Sequence, residues 1–121
     1  MTDQTPRELI VIVEDDDAVR RSLQLLLHWR GYDVRAFASA TRLLESDGSG
    51  HAAALIADYR LPDGDGIAVL RTMRNAGWHG RAVLLTGHGS SELTEEALAS
   101  GFDAVLDKPL RQHELVGALG R

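Results

Sequence analysis

The sequence contains no cysteine among its 121 residues. This absence excludes disulfide bonds, zinc sites with thiolate ligands and cysteine nucleophiles, and it suits a reducing compartment, so we expect a cytoplasmic location. Long apolar runs are also absent, since none approaches the roughly 20 residues that a membrane-spanning helix needs. The first residues, "MTDQTPRE", are polar and include acids, so we predict neither a signal peptide nor a membrane anchor.

Basic residues are not in excess: the sequence has 13 lysines and arginines but 18 acids, and its net charge is -5. A DNA-binding domain normally carries a basic patch, so we expect no direct binding of nucleic acid. Apolar residues make up 44% and charged residues 26%, which is typical of a globular domain. The length fits one domain over residues 1–121, without a linker or an internal repeat.

Short apolar runs recur along the chain, separated by segments with helical periodicity. The runs do not alternate with polar residues, which is typical of strands that are buried on both faces of a parallel sheet. Four runs are clear and one, the second along the chain, is weaker: Leu9–Val13, Tyr32–Phe37, Ala52–Ala57, Ala82–Leu85 and Ala104–Leu106.

The segment after the first run has the clearest helical pattern, with apolar residues on one face at Val19, Leu23, Leu26 and Leu27. Gly31 then stands where a helix C-terminus takes a left-handed residue, and similar patterns end at Gly77 and Gly101. A short helix is predicted over Thr41–Glu45 with Ser39 as its cap, and a further helix is predicted at the C-terminal end. Strand and helix thus alternate five times, which predicts an α/β fold with a doubly wound sheet and right-handed crossovers.

Polar residues follow most of the predicted strands. In an open parallel sheet the carboxyl ends of the strands form the ligand-binding edge. The residues at this edge are Glu14, Asp15, Asp16 and Asp17 after the first strand, Asp58 after the third, Thr86 after the fourth, and Asp107 and Lys108 after the fifth. Clustered carboxylates repel each other, and a lysine or a hard divalent cation relieves that repulsion. Mg²⁺ fits best, because it binds one or two carboxylates, keeps several waters and shares phosphate oxygens.

Most of these residues, and two acids of the following loop, also have a structural interpretation. Asp16 and Asp17 are suited to the first turn of a helix, and this alternative applies less well to Asp15, which stands at the strand exit. Further alternatives stay open: a turn residue at Asp58, a β-branched strand residue at Thr86, a solvated surface charge at Lys108, and turn residues at Asp63 and Asp65.

Four motifs follow one another along the chain: "VIVEDDDAVRRSL", "LIADYRLPDGDG", "VLLTGHGS" and "VLDKPL". Together they resemble the receiver domain of bacterial two-component response regulators, and the likeness extends over nearly the whole chain. The resemblance implies a single receiver domain with a (βα)5 flavodoxin-like fold, in which five parallel strands lie in the order 2-1-3-4-5.

The resemblance also implies a role for each residue at the strand ends. The implied catalytic residues are Asp58, which is the phosphorylation site, Thr86 and Lys108. The implied Mg²⁺ ligands are Asp58, Asp15 by direct contact, Glu14 through water, and the backbone carbonyl of Arg60. The bond between Lys108 and Pro109 is expected to be cis.

In function, the resemblance implies a phospho-accepting signalling module with Mg²⁺ as its cofactor. The phosphoryl donor would be the phosphohistidine of a sensor histidine kinase or phosphotransfer protein, or a small acyl phosphate. The domain would catalyse its own phosphorylation and dephosphorylation without being an enzyme that turns over a diffusing product. Phosphorylation would switch the surface of the fourth helix and fifth strand, and these elements with the fifth helix are the expected contact of a receiver dimer.

Two features depart from the pattern of this family. Most receivers carry a switch aromatic three residues before the lysine, where this chain has Val105, so we expect backbone and loop shifts or Phe102 to transmit the signal. No output domain follows Arg121 in this sequence, and the abrupt end at "GALGR" favours a receiver excised from a longer regulator or hybrid kinase over a stand-alone regulator.

Two other functions remain as alternatives. An aspartyl-nucleophile phosphatase dependent on Mg²⁺ would also place an acid at a strand end, but such enzymes usually have a second acid two residues later, where this chain has Arg60. A receiver-like domain that mediates interactions without phosphorylation is the second alternative, and Val105 is the feature that favours it.

Overall fold

The computed structural model describes residues 7–120, in which helices cover a parallel sheet. The strands are β1 (Leu9–Val13), β2 (Asp33–Phe37), β3 (Ala54–Asp58), β4 (Arg60–Leu61), β5 (Gly64–Asp65), β6 (Arg81–Thr86) and β7 (Ala104–Asp107). The helices are α1 (Asp17–Trp29), α2 (Ala40–Glu45), α3 (Gly66–Asn75), α4 (Ser91–Ala99) and α5 (Gln112–Ala118), with a 3-10 turn at Ser49–His51. None of the helices within residues 7–120 combines the length and hydropathy needed to cross a bilayer.

Five strands form one sheet in the order β2-β1-β3-β6-β7, and all of its pairings are parallel. Because β4 and β5 form a separate sheet, β6 and β7 are the fourth and fifth strands of this one, and its order confirms the predicted 2-1-3-4-5. The chain first builds outwards from β1 to β2 and then continues on the other side of β1 with β3. The strand order therefore reverses between β1 and β3, which is where ligands bind in sheets of this kind.

The central strands are buried on both faces, because helices cover each face. Val11 and Leu55 point to the face that is covered by α2, α3 and α4. Ile10 and Ile56 point to the opposite face, where they pack with apolar residues of α1 and α5. A strand with apolar neighbours on both sides needs no alternation, which explains the continuous apolar runs of the sequence.

Capping residues determine where the helices begin. Asp16 accepts a hydrogen bond from the backbone N–H of Val19 at 2.9 Å and begins α1, and Ser39 begins α2 in the same way. The predicted cap Ser39 is confirmed, and the helical interpretation of Asp16 and Asp17 is also confirmed, with Asp16 as the cap and Asp17 in the first turn. The helices α1, α3 and α4 are followed by glycines with positive φ, as predicted: Gly31 at 95°, Gly77 at 97° and Gly101 at 111°.

The third strand differs from its predicted bounds. Ala52 still belongs to the preceding turn, because its N–H donates to the carbonyl of Ser49 at 3.1 Å. The strand ends with Asp58, which lies opposite Leu85 of β6 in the parallel register. Asp58 is therefore a residue of the sheet and not the first residue of a turn.

The segment after β3, "LPDGDG", is more ordered than a simple turn. β4 and β5 form a short antiparallel ladder, in which Arg60 lies opposite Asp65. Asp65 caps α3, and Asp63 accepts hydrogen bonds from the backbone N–H groups of Ala40 at 2.9 Å and Thr41 at 2.8 Å. The segment therefore fixes the first turns of both α2 and α3.

The substitution Asp63→Asn should destabilise the fold at neutral pH. Hydrogen bonds from the side chain and backbone of Thr41 and from the backbone of Ala40 lower the pKa of Asp63 below its ordinary 3.8. The carboxylate therefore stabilises the fold above that pH, and the contribution is lost as the pH falls through the lowered pKa. Urea unfolding should give a lower free energy of unfolding for the variant at pH 7 and a smaller difference from the wild type at about pH 3.

Glu45→Gln is the matched control, because Glu45 is an exposed acid at the other end of α2. Its effect on stability should not follow the same pH profile. An identical profile for both variants would show that net charge, and not the contact with α2, is responsible.

Candidate functional site

Three carboxylates meet at the carboxyl edge of the sheet, where the strand order reverses. Glu14 and Asp15 follow β1, and Asp58 ends β3. One oxygen from each of the three lies within 4.8 Å of the other two. Glu14 is fully buried and Asp58 is 6% exposed, whereas Asp15 faces solvent. The edge thus combines two buried acids with one accessible acid.

The register of the sheet brings these residues together. Val13 and Ala57 are partners across the β1–β3 pairing, so Glu14 and Asp58, which come next, lie side by side. The loop after β1 then fixes the side chain of Glu14, whose Oε2 accepts a hydrogen bond from the N–H of Asp16 at 3.0 Å. The pairing of two apolar strands therefore determines where both buried acids stand.

Lys108 supplies a positive charge to this cluster. Its Nζ lies 3.0 Å from Oδ2 of Asp58 and 2.6 Å from Oε1 of Glu14. Burial, the largest single influence, lowers the pKa of Lys108, but its contacts with Glu14 and Asp58 together outweigh burial and raise that pKa above 10.5. The lysine is therefore a charged partner of both acids and not a solvated surface residue.

The position of Lys108 depends on the pairing of β6 with the edge strand β7. In the β6–β7 pairing, Thr86 lies opposite Asp107, and the N–H of Lys108 donates to the carbonyl of Thr86 at 2.8 Å. The peptide bond between Lys108 and Pro109 is cis, as expected.

The charges and the donor atoms of the cluster fit a divalent cation. Three carboxylates face one ammonium group, so negative charge is in excess. Glu14 Oε1 is buried, and its partner is the ammonium group of Lys108 at 2.6 Å, which Glu14 shares with Asp58. Carboxylate oxygens in this arrangement are the ligands that Mg²⁺ prefers.

Thr86 stands at the end of β6 and is 3% exposed. Its hydroxyl oxygen accepts a hydrogen bond from the N–H of His88 at 3.2 Å. The hydroxyl is thereby attached to the loop that leads into α4. A change in the position of this hydroxyl would alter that loop directly.

Arg60 lies two residues beyond Asp58, in β4, and its side chain is exposed. The chain folds back beside it, because the N–H of Tyr59 donates to Leu85 at 2.8 Å and the N–H of Gly66 donates to Tyr59 at 2.9 Å. The backbone after Asp58 is thus held against the sheet edge. The role of the Arg60 carbonyl as a metal ligand stays a prediction.

Val105 and Phe102, the residues considered for signal transmission, both contact the core. Val105 lies within β7 and is partly buried, and Phe102 is 3% exposed in the cluster under α2, α3 and α4. The ring of Phe102 is therefore part of the core in this structure, and its role in signal transmission stays a prediction.

The sequence reasoning did not identify two residues near the acids. Gly66 is the first residue of α3, and a Cβ at this position would lie 2.5 Å from the carbonyl oxygen of Asp58. Arg20 donates to the backbone carbonyl of Glu14 at 2.9 Å. A glycine at a helix start was a signal for the first, but a contact between a helix arginine and a backbone carbonyl leaves no sequence signal.

Comparison with known proteins agrees with this fold. The family model of the response regulator receiver domain matches residues 10–120. The chain belongs to this family, whose members are signalling modules of two-component systems.

Individual relatives support the same assignment. The chain is 34% identical to the response regulator protein TmoT of Ectopseudomonas mendocina, over 98% of this chain and 53% of the relative. It is 33% identical to nodulation protein W of Bradyrhizobium diazoefficiens, over 98% of this chain and 52% of the relative. The chain therefore spans about half the length of these curated relatives.

A solved structure shows the same architecture. The response regulator receiver domain protein of Methanospirillum hungatei, described as CheY-like, superimposes with a TM-score of 0.80 at 26% identity, covering 93% of this chain and 90% of the other.

The substitution Gly66→Ala should destabilise the fold by about 1–3 kcal/mol, because the added methyl group must displace the backbone of Asp58 and the Cδ1 of Leu84, which would be 2.9 Å away. Gly117→Ala is the matched control. Gly117 lies in α5, where an added methyl group would have no heavy atom within 4 Å, so alanine should stabilise that helix by about 0.5–1 kcal/mol. Chemical denaturation measures both, and equal effects would contradict a tight contact at Asp58.

Proposed function

We propose that this domain accepts a phosphoryl group on Asp58 from the phosphohistidine of a sensor histidine kinase or phosphotransfer protein. One observation carries the proposal: Asp58 ends the central strand 3.0 Å from the ammonium of Lys108, in a cluster with Glu14 and Asp15. Membership of the receiver family supports the same reaction. A small acyl phosphate would serve as an alternative donor.

In the proposed reaction an oxygen of the Asp58 carboxylate attacks phosphorus. The new O–P bond forms as the N–P bond to the donor histidine breaks, and the electron pair of the broken bond stays on the imidazole nitrogen. Lys108 offsets the negative charge of the acceptor and of the phosphoryl oxygens. Because a carboxylate is already a nucleophile, positioning and charge carry most of the catalysis.

The acids beside Asp58 suit a magnesium site. Glu14, Asp15 and Asp58, with the carbonyl of Arg60, would hold the cation. When bound, Mg²⁺ supplies positive charge to the oxygens of the transferring phosphoryl group. Asp15 is the accessible acid of the three, which suits a ligand that reaches the ion from the solvent side.

The proposed signal begins at Thr86. A phosphoryl oxygen on Asp58 would attract the Thr86 hydroxyl, which in the present structure accepts the N–H of His88. Reorientation of the hydroxyl would shift the loop into α4 and bias the surface of α4 and β7 between two states. Val105 offers no ring for this purpose, so loop and backbone shifts would transmit the change.

We propose that residues 1–121 act as one receiver unit in the cytoplasm, without turnover of a diffusing product and without direct contact with nucleic acid or membrane. The continuous core on both faces of the sheet supports a single unit. The surface of α4, β7 and α5 is the proposed contact of a receiver dimer.

Incubation with acetyl phosphate and Mg²⁺ should add one phosphoryl mass to the protein, as measured by intact-mass spectrometry. Asp58→Asn should abolish the adduct, because the amide is not a nucleophile of comparable strength. Asp107→Asn is the matched control, since Asp107 is an exposed acid at the same sheet edge, and it should label normally.

Unchanged labelling of the Asp58→Asn variant would contradict the site assignment. Steady turnover of a generic phosphate ester would instead indicate a phosphatase. A wild-type protein that neither acetyl phosphate nor a phosphorylated kinase labels would indicate an interaction domain.

Thr86→Ala should accept the phosphoryl group but lose most of the accompanying shift in the loop after β6. Hydrogen–deuterium exchange over residues 87–107, with and without acetyl phosphate, measures this shift. Thr86→Ser keeps the hydroxyl and should restore the response. If alanine and serine variants respond alike, the hydroxyl does not start the signal.

A further inference from the structure

Arg20 connects α1 to the loop that carries two of the acids. Its Nη1 donates to the carbonyl oxygen of Glu14 at 2.9 Å and, more weakly, to that of Asp15 at 3.4 Å. Its Nη2 forms an ion pair with Asp17, one turn earlier on the same helix. The side chain of Arg20 is 20% exposed, whereas that of Asp17 is 91% exposed, so the guanidinium lies against the loop and not in open solvent.

These contacts hold the backbone at the point where the chain leaves the sheet. Beyond Val13 the carbonyls of Glu14 and Asp15 lie outside the pairings of β1, and Arg20 donates to both of them. The planar guanidinium can do so while one of its nitrogens stays fixed by Asp17. The backbone that sets the direction of both acidic side chains is thereby restrained.

We propose that Arg20 is a positioning residue that preorganises Glu14 and Asp15 for a divalent cation. The inference rests on the proposed function, because it concerns the magnesium site of the same cluster. Arg20 is not itself a proposed ligand, but under this inference it helps to determine how tightly the ion binds. Groups that orient metal ligands typically change metal affinity by roughly 10- to 100-fold when they are replaced.

The positive charge of Arg20 and its hydrogen bonds to the backbone have opposite effects on the affinity for a divalent cation. A positive charge near the acids disfavours a cation, whereas a restrained backbone favours it. Lysine at position 20 keeps the charge but not the fork of two donor nitrogens, and glutamine loses the charge as well. Comparison of the two variants therefore separates backbone positioning from simple electrostatics.

Isothermal titration of the metal-free protein with Mg²⁺, without any phosphoryl donor, tests the inference. Arg20→Lys and Arg20→Gln should both weaken Mg²⁺ binding by roughly 10-fold. Far-UV circular dichroism in the absence of metal verifies folding, and Arg20→Lys carries the test if Arg20→Gln does not fold. Arg21→Lys and Arg21→Gln are matched controls, since Arg21 is exposed on the same helix, and they should bind Mg²⁺ like the wild type.

A second measurement separates positioning from a general loss of structure. The Mg²⁺ concentration that gives half-maximal labelling by acetyl phosphate should rise in Arg20→Lys, while the rate at saturating Mg²⁺ should return to the wild-type value. A variant that is merely unstable would lose the maximal rate instead.

Wild-type affinity in Arg20→Lys would overturn the inference, and so would tighter binding in Arg20→Gln, which would show that charge dominates. Either result leaves the proposed function intact. If the wild-type protein itself binds no Mg²⁺, the proposed magnesium site is wrong and the inference falls with it.

Discussion

Glu14 and Asp58 are carboxylates buried at the ends of neighbouring strands, and the ammonium group of Lys108 lies in contact with both. Two such acids repel each other, and each loses the hydration that it would have in water. Lys108 offsets this cost. It follows β7, which is separated from β3 by β6, and its side chain reaches both acids. One cation against three acids leaves a site that is still negative. This incomplete balance of charge suits the divalent cation that we propose for the site.

The chain after Asp58 keeps this arrangement in place. Gly66 lets the start of α3 approach the carbonyl of Asp58 more closely than any side chain would permit. Asp63 and Asp65, in the same short hairpin, fix the first turns of α2 and α3. The segment therefore links β3, which ends with Asp58, to the two helices α2 and α3.

The side of the site formed by Thr86, the loop into α4 and β7 is less firmly fixed. Thr86 contacts the loop into α4 through one hydrogen bond from His88, and the described part of β7 is only partly buried. Elements with few buried contacts open and shift at low cost in free energy. A response at α4 and β7 is therefore physically reasonable even though Val105 replaces the aromatic residue that the family resemblance led us to expect.

The sequence by itself determined the order of strands and helices, several caps and the glycines that end helices, because apolar periodicity and capping chemistry are local properties. The family motifs also pointed to Asp58, Asp15, Glu14 and Lys108 before any contact was known. Tertiary structure alone decided that Lys108 bridges two acids, that Asp63 holds α2, and that Gly66 and Arg20 contact the backbone of the acidic edge. These contacts join residues through backbone atoms or across distant strands, and backbone carbonyls are the same in every residue. The glycine at the start of α3 and the lysine after the fifth predicted strand were signals in the sequence, but the contacts themselves could not be read from a pattern of side chains.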